Sequence, residues 1–467
     1  MFNFLIFFIS IIIRTKEKEN FRLVLEIYKH GAISPKITQE TEIKDIFGEK
    51  WEDKDELTSV GLRQEFLIGY INKLRYIKKN NFINEQFDPR EVLFYSLNSN
   101  KSILSSYALS QGFFPPETGL TLNQKQILNA VPPIESRLYE GGSVGLENFA
   151  LPKKMSIVPT QIIYENDFLI SSTNENLCEG IKKTKNKKDF WSKEMKEIKE
   201  IINKTYSESI IKEIKEKDKN NLFNDYDKIK DILITILSEY YDGRNIEKFK
   251  NKGNVTDLIN DIKKYLLFDY QNKNNKEIVI HSIAPFMRWI IELMKIRIKK
   301  DKEGKEKELD YNLPKIILIS SDDSIFKPLE FIMNICFNIS IDYSDFGSYL
   351  NFELKKVNET SSGSNIKDED YVIEYYFNGI NKKKISFPDF KKKIEESIKS
   401  DNDVKKFCNF KDQTNTPIYK NLYFIISMVL IIVFIFLLIL LIIKSKRKND
   451  LDKMLTHSKN EENELVP

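Results

Sequence analysis

Residues 21–35 spell FRLVLEIYKHGAISP, an apolar run that leads directly into a turn. The run from Phe21 to Tyr28 is short and rich in β-branched, aliphatic and aromatic residues, which predicts a buried strand. Gly31 and Pro35 interrupt the pattern, so His30 falls at the carboxyl end of this strand. Ligands bind at that edge of open α/β sheets, and the chain has only three histidines. His30 is therefore a candidate functional residue; a histidine in an ordinary strand-end turn is the alternative.

Two more segments in the first quarter of the chain carry local structure signals. Residues 57–64, LTSVGLRQ, predict a helix start with Thr58 as the N-cap, and apolar residues recur at helical spacing as far as residue 74. Residues 92–94 predict a strand. The turn YSLNSNKS at 95–102 leads from that strand into a helix, which closes with GFFPP at 112–116.

The second half of the chain repeats the pattern of a buried strand that ends in polar residues. Residues 316–319 predict the strand, and it runs into SSDDS at 320–324. A further segment, SDFGSYLNFEL, follows at 344–354. Asp322 and Asp323 therefore lie at a strand end, as His30 does.

In the same order, these segments resemble the motifs of the histidine acid phosphatases, a branch of the histidine phosphatase superfamily. The family motifs are R-H-G-x-R-x-P, L-T-x-x-G-x-x-Q, R-S-T-D-x-x-R-T, G-L-F-P-P, a catalytic H-D pair and Y-A-S-x-L-x-F-E-L. The resemblance covers roughly residues 21–408 with a gap in the middle. It implies an α/β fold with a mostly parallel central sheet flanked by helices, a phosphoglycerate-mutase-like core, and an inserted α-helical cap.

The resemblance also implies the catalytic residues. His30 stands for the nucleophile, which attacks phosphorus and becomes a phosphohistidine. Asp323 stands for the aspartate that protonates the leaving group. The implied reaction is the hydrolysis of phosphomonoesters.

The rest of the implied pocket departs from the family. Lys29, Ile33 and Tyr95 stand where the family has arginines, and Asp322 stands where it has the catalytic histidine. Lysine lacks the planar fork of arginine, isoleucine offers no donor, and an ionised carboxylate only accepts hydrogen bonds. Lys101 is a candidate for the vacant phosphate position, unless it is simply solvated. The candidate substrate-binding residues are Lys29, Tyr95, Lys101 and Asp322.

Two functions of different class follow from this mixture. The first is a membrane-anchored acid phosphatase that works through His30 with impaired activity, because loss of one preorganised donor lowers a rate by about 100- to 1000-fold. The second is a catalytically inactive pseudophosphatase whose ectodomain serves binding or surface-glycoprotein roles. His30 and Asp323 favour the first function, and the substituted positions favour the second.

Composition excludes several partners. The net charge is +4, from 73 basic and 69 acidic residues, so no strong field favours nucleic acid. The three histidines and three cysteines are scattered without ligand spacing, so the sequence predicts no metal site and no cofactor.

Two apolar segments concern membranes. The 22 residues from Leu422 to Ile443 are uncharged and, at about 1.5 Å per residue, long enough to cross a bilayer. The basic run that follows predicts a cytoplasmic C-terminus. The apolar run from Phe4 to Ile13 has the length of a signal-peptide core; an uncleaved anchor is the alternative. We therefore expect a single-pass protein whose N-terminal domain lies in a lysosome, a vacuole or outside the cell.

Composition shifts divide the chain further. Residues 183–270 are rich in lysine and glutamate with apolar residues at helical spacing, which predicts the helical cap insert. The expected segments are 1–19 (signal peptide), 20–182 (first part of the core), 183–270 (cap), 271–410 (second part of the core), 411–421 (stalk), 422–443 (membrane span) and 444–467 (cytoplasmic tail).

The cysteines and sequons agree with an extracytoplasmic domain. By resemblance to the family, Cys178 and Cys408 occupy positions that many members bridge; the absence of any disulfide is the alternative. Cys336 lies in an apolar run and is expected to be a buried free thiol. Possible glycosylation sites are Asn203, Asn254, Asn338 and Asn358.

Overall fold

The computed structural model describes residues 19–35, 51, 53–130, 146–185, 226–243, 259–260, 262–263, 275–305, 308, 310–311, 313–340, 343–357 and 366–410. The predicted signal segment (apart from residue 19), the stalk, the membrane span Leu422–Ile443 and the tail lie outside these residues. None of the helices formed by the described residues combines the length and the apolar composition that crossing a bilayer requires.

A seven-stranded sheet forms the centre of the described fold. Its strands are β1 (Phe21–Lys29), β2 (Val92–Leu97), β3 (Thr160–Ile163), β4 (Ile316–Ser321), β5 (Tyr349–Lys356), β6 (Tyr371–Phe377) and β7 (Ile380–Ser386). Their order is β3-β2-β4-β1-β5-β6-β7. The strands predicted at 21–28, 92–94 and 316–319 are confirmed, and each extends beyond the predicted residues.

The prediction of a mostly parallel sheet is wrong. The pairs β1–β4, β2–β4 and β2–β3 are parallel, whereas β1–β5, β5–β6 and β6–β7 are antiparallel. The reason is clearest between β6 and β7, where only Asn378 and Gly379 connect the strands. Both have positive φ, 47° and 76°, as a tight hairpin turn requires. A two-residue turn can connect only antiparallel neighbours.

Helices cover the sheet and the strand ends. They are α1 (Ser59–Asn72), α2 (Asn100–Phe113), α3 (Gln124–Asn129), α4 (Phe168–Ser171), α5 (Glu179–Lys185), α6 (Tyr226–Tyr241), α7 (Asn275–Ser282), α8 (Ala284–Lys302), α9 (Asp323–Phe337), α10 (Phe387–Ser397) and α11 (Asp401–Cys408). A π-helical segment, Lys73–Lys79, continues α1. Thr58 caps α1 as predicted, because its side chain accepts a hydrogen bond from the backbone N–H of Gly61.

Close packing of α1 and α2 against each other depends on glycine. A Cβ atom on Gly69 would lie 2.0 Å from the carbonyl oxygen of Leu109, and one on Gly112 would lie 1.9 Å from that of Phe66. Below the two helices, a buried apolar cluster includes Val24, Phe94 and Phe113 together with their neighbours on β1, β2 and β4. The cluster fixes the position of β1 beneath the two helices, and with it the position of the loop that follows β1.

One disulfide joins distant parts of the described chain. Cys178 and Cys408 are bonded across a sequence separation of 230 residues, as the family resemblance implied. Cys336 is a free thiol, but it is half-buried rather than buried, because α9 turns it toward α10, where its thiol lies 3.6 Å from the carbonyl oxygen of Lys393. Helix α6 lies within residues 183–270, which were predicted to form the cap.

Candidate active site

The sheet topology brings the two candidate catalytic segments to one edge. Strands β1 and β4 are parallel neighbours, with Lys29 opposite Ser321, so both chains leave the sheet at the same side. The backbone N–H of His30 donates to the carbonyl oxygen of Ser321 at 3.1 Å. Asp322 and Asp323 follow Ser321 directly. His30 and Asp323 therefore line the same cavity, which has a volume of about 360 Å³.

The loop after β1 is held rigidly by α1. A Cβ atom on Gly31 would lie 2.4 Å from the carbonyl oxygen of Gly61, so only glycine allows the loop to approach so closely. The Ala32 carbonyl accepts a hydrogen bond from the Thr58 hydroxyl at 2.9 Å, and the Ala32 N–H donates to Gln64 Oε1 at 2.9 Å. These contacts fix the backbone that carries His30 before any ligand arrives.

The hydrogen bond of His30 decides which ring nitrogen can react. Nδ1 lies 2.9 Å from the carbonyl oxygen of Gly31, which can only accept. Nδ1 therefore carries the proton, and Nε2 keeps its lone pair. Burial, reinforced by the charges of Lys101 and Lys29, lowers the pKa of His30 to about 3. The imidazole is thus neutral, and its Nε2 is nucleophilic, through the acidic range as well as near neutral pH.

Three buried lysines surround this histidine along the cavity wall: Lys29, Lys101 and Lys327. Lys29 Nζ lies 2.8 Å from Asp323 Oδ1, and Lys327 Nζ lies 3.1 Å from Asp323 Oδ2. Lys101 Nζ lies 2.7 Å from Asp55 Oδ1, so it is ion-paired and buried rather than solvated. Ammonium groups therefore stand around His30 where planar guanidinium groups would give bidentate contacts.

Sequence reasoning missed Lys327. The available signal was its position four residues after Asp323, because residues at that spacing share one face of a helix. Lys327 lies on α9 and is only 5% exposed, which is rare for a lysine without a specific electrostatic environment.

The structure does not bring Tyr95 to the cavity. Tyr95 lies within β2, and its ring packs edge-to-face against Trp289 with centroids 6.4 Å apart. The residue from this segment that lines the cavity is Lys101, near the start of α2. Strand β2 continues to Leu97, past the predicted end, and so carries Tyr95 below the strand ends where the cavity lies.

Asp322 lines the cavity but also caps α9. Its side chain accepts hydrogen bonds from the backbone N–H of Ser324 at 2.9 Å and from the Ser324 hydroxyl. Capping bonds and the helix N-terminus both stabilise a carboxylate. One oxygen of Asp322 is therefore already engaged as an acceptor at the start of α9. Ile33 is buried at the cavity wall and supplies no polar group.

A second loop, which carries Phe346, and helix α6 close the cavity from above. The ring of Phe346 lies 5.9 Å from that of His30 and 5.6 Å from Lys29 Nζ, measured to its centroid. Tyr241, at the end of α6, packs edge-to-face on Phe346 at 5.7 Å and donates to the Asp345 carboxylate. Lys263 forms an ion pair with the same carboxylate. Helix α6 and Lys263 thus contact the core through the loop that faces the candidate nucleophile.

The charge balance of the cavity is unusual for an anion site. Its wall carries three lysines and four carboxylates, those of Glu175, Asp231, Asp322 and Asp323. Elsewhere among the described residues, Glu19, Glu353 and Glu374 bring carboxylate oxygens within 4.8 Å of one another. Lys355 bridges all three at 2.5 to 2.9 Å. An ammonium group therefore already occupies the position where this set would hold a cation.

Comparison with known proteins gives short matches in sequence. No model of a known protein family matches the chain. A Caenorhabditis elegans protein named "Putative acid phosphatase 11" is 38% identical over 61 residues, which are 13% of this chain and 15% of the relative. The lysosomal acid phosphatase of Xenopus laevis is 24% identical over 131 residues, 27% of this chain and 29% of the relative. The matches span less than a third of these curated relatives.

Comparison of structures gives long matches. The phytase of Citrobacter braakii superimposes with a TM-score of 0.52 at 10% identity, covering 82% of this chain and 99% of the phytase. A phytase of Klebsiella superimposes with a TM-score of 0.51 at 12% identity, covering 81% and 96%. These likenesses show the fold, and the acid phosphatase segments agree with it. The chain is thus similar to acid phosphatases over short stretches of sequence and shares its fold with these phytases. Its candidate nucleophile, His30, is surrounded by lysines.

Proposed function

We propose that this chain is a histidine acid phosphatase-like protein that binds phosphomonoesters in the cavity at His30 and hydrolyses them slowly. The observation that carries this proposal is the state of His30: a rigidly held, neutral imidazole whose Nδ1–H is bound to Gly31, leaving Nε2 for the cavity. Lys29, Lys101 and Lys327 supply the positive charge that a phosphate dianion needs.

In the proposed reaction, the lone pair of His30 Nε2 attacks phosphorus and the ester P–O bond breaks. The leaving oxygen takes a proton from the Asp323 carboxylic acid, and a phosphohistidine forms. Water then attacks the phosphorus, the P–N bond to His30 breaks, one proton of the water passes to Asp323, and inorganic phosphate leaves. His30 recovers its lone pair, so both groups return to their starting states.

Two features of the cavity argue for a low rate. Two ammonium groups within 3.1 Å of Asp323 favour its carboxylate over the acid that must donate the proton. Lysine also contributes a single point charge where a guanidinium group would clamp two phosphate oxygens. Each lost donor costs about 100- to 1000-fold in rate, although such losses are not additive.

A second candidate function is binding of a phosphate ester without turnover. The ion pairs of Asp323 with Lys29 and Lys327 favour it, because they hold the expected proton donor in its ionised form. In that case the cavity would still bind tetrahedral oxyanions, and the protein would act as a pseudophosphatase.

One set of measurements separates the two functions. The full chain, His30→Ala and the control His457→Ala, whose site lies outside the described residues, are assayed on p-nitrophenyl phosphate between about pH 4 and pH 7. If the protein is a phosphatase, His30→Ala should lower the rate at least about 100-fold and His457→Ala should not. The wild type should also form an acid-labile phosphohistidine. If the wild type binds orthovanadate but all three proteins hydrolyse the substrate at the same background rate, the binding function is supported. If the wild type neither binds vanadate nor turns over substrate, both functions are wrong.

We also propose that the protein is anchored by Leu422–Ile443, with its phosphatase domain on the extracytoplasmic side. The disulfide between Cys178 and Cys408 supports this, because disulfides persist in oxidising compartments. Protease added to sealed microsomes should remove only the tail after the span. Digestion of the domain with protection of the tail would contradict this orientation.

A further inference from the structure

Two parts of the fold form the wall of the cavity at His30. One part comes from the strand-end edge of the sheet and carries the three lysines that surround His30. The other part comes from α6 and from the loop before α5, and its described residues include no lysine or arginine. We call this second part the α6 wall; it consists of Glu175, Asp231, Ile234 and Leu237.

The α6 wall changes from apolar to acidic toward the opening of the cavity. Asp231, Ile234 and Leu237 follow one another at three-residue spacing, so they share one side of α6. Leu237 is 1% exposed, whereas Asp231 and Ile234 are half-buried. Glu175, which also lines the cavity, is exposed. The wall therefore offers aliphatic side chains where it is closed and carboxylates where it is open.

A phosphate ester that reacts at His30 must direct its alcohol part toward the α6 wall. His30 is 4% exposed, and its Nε2 faces the cavity without a hydrogen-bond partner among the described residues. The phosphoryl group lies between this nitrogen and the three lysines, because these groups complement its charge. Attack in line with the leaving oxygen places that oxygen opposite His30, on the side that α6 closes.

We propose that this cavity selects small phosphate monoesters whose alcohol part carries a positive charge, that is, amino-alcohol phosphates. The proposal rests on the function proposed above and leaves its reaction steps unchanged. The methylene groups of the alcohol contact Ile234 and Leu237, and its ammonium group donates to the carboxylates of Asp231 and Glu175. These two carboxylates are the specificity-determining groups.

The same wall disfavours esters that carry a second anionic group. A second phosphate directed at α6 would face two carboxylates, and no cationic side chain lies among the described residues of that wall. The cavity volume of about 360 Å³ also favours small esters. Asp231 and Glu175 each interact with other groups of the chain as well. The ammonium group adds to those interactions, so we expect a preference of about 10-fold, the lower part of the range for a charged hydrogen bond.

Pairs of esters that differ only in charge test the proposal on the full chain. We compare 2-aminoethyl phosphate with propyl phosphate and 3-aminopropyl phosphate with butyl phosphate, because a methyl group replaces the ammonium group in each pair. At least one amino ester should have a kcat/KM about 10-fold higher than its neutral partner. If no ester is hydrolysed, the same ratio is measured as affinity, from displacement of bound orthovanadate. Equal values within both pairs, or higher values for the neutral esters, overturn the proposal.

A pair of double variants assigns the preference to the α6 wall. Asp231→Asn combined with Glu175→Gln should bring the ratio between charged and neutral esters close to 1. The control, Asp242→Asn combined with Glu165→Gln, makes the same charge change at nearby positions that do not line the cavity, and it should keep the wild-type ratio. An unchanged ratio in the first variant, or the same loss of preference in both, overturns the proposal.

The two proposals for the cavity fail in different ways. If the wild type hydrolyses p-nitrophenyl phosphate or binds vanadate but shows no preference within the ester pairs, the specificity proposal alone is wrong. If the wild type does neither, the proposed function is wrong and the specificity proposal is wrong with it.

Discussion

Replacing Glu26 with glutamine should remove a large part of the pH dependence of folding stability. Glu26 is fully buried on β1, and its Oε1 accepts a hydrogen bond from Asn72 at 2.6 Å. Burial raises the pKa of Glu26 to about 7; the amides of Asn72 and Asn351 oppose the rise, and the nearby charge of Glu353 adds to it. Burial, together with the charge of Glu26, also raises the pKa of Glu65 on the facing helix.

The sign follows from which state holds the proton. Native Glu26 keeps a proton that the unfolded chain releases near pH 4.5. Its contribution to stability is therefore fully present below that pH and is lost as the pH rises through about 7. Between pH 5 and pH 8 the free energy of unfolding should fall by about 2.5 kcal/mol through this group alone.

His30 acts in the opposite direction. The pKa of His30 is lowered to about 3 in the native protein. Below pH 6.5 the unfolded chain therefore binds a proton at His30 that the native protein does not bind. The stability that His30 contributes is present above pH 6.5 and is lost as the pH falls toward 3. The dependence of the wild-type unfolding free energy on pH therefore combines opposite contributions from several groups. Only a comparison of the wild type with a Glu26 variant isolates the contribution of Glu26.

Urea unfolding at pH 5 and pH 8, followed by tryptophan fluorescence, measures the effect. Glu26→Gln preserves the acceptor for Asn72 but cannot titrate. Between pH 5 and pH 8, the free energy of unfolding of the wild type should therefore fall by about 2.5 kcal/mol more than that of the variant. Glu277→Gln, at an exposed position on α7, is the control and should retain the wild-type slope. If Glu26→Gln and the control show the same slope, the buried carboxyl is not protonated in the native state, and the reasoning fails.

Three further outcomes can be measured on single variants. Gly31→Ala should destabilise the fold by about 1–3 kcal/mol and weaken vanadate binding, because its Cβ would lie 2.4 Å from the carbonyl oxygen of Gly61; an unchanged melting temperature would contradict the close approach. Ile33→Arg should tighten vanadate binding at least about 10-fold by adding a bidentate donor to the cavity, whereas Ile33→Met should not. Cys408→Ser should cost about 4–5 kcal/mol, since the disulfide with Cys178 spans 230 residues; a thermal unfolding midpoint within about 2 °C of the wild type would refute this.

The local pattern of residues predicted the part of the fold that holds the candidate nucleophile. The strand beginning at Phe21, the cap at Thr58 and the strand beginning at Ile316 are all visible as short apolar runs or capping residues, and all are present. The antiparallel half of the sheet was missed. Asn378-Gly379 was its one strong local signal, because the pairing of β5 with β1 joins residues more than 300 positions apart.

Helix α1 shows the limit of periodicity. The spacing of its apolar residues predicts a helix but cannot say which side meets the sheet. That choice depends on the close approaches at Gly61 and Gly69 and on the hydrogen bond from Asn72 to Glu26, which only the packed structure supplies.

The candidate site divides in the same way. Sequence alone determined that His30 and Asp323 follow buried strands, because strand ends are marked by local breaks in composition. Only the tertiary structure decided that Lys101 and Lys327, and not Tyr95, face the cavity beside them. The physical reason is that a strand end is a local property of the chain. The direction of a side chain depends on how far a strand continues and on which elements pack against it, and those contacts join residues far apart in sequence.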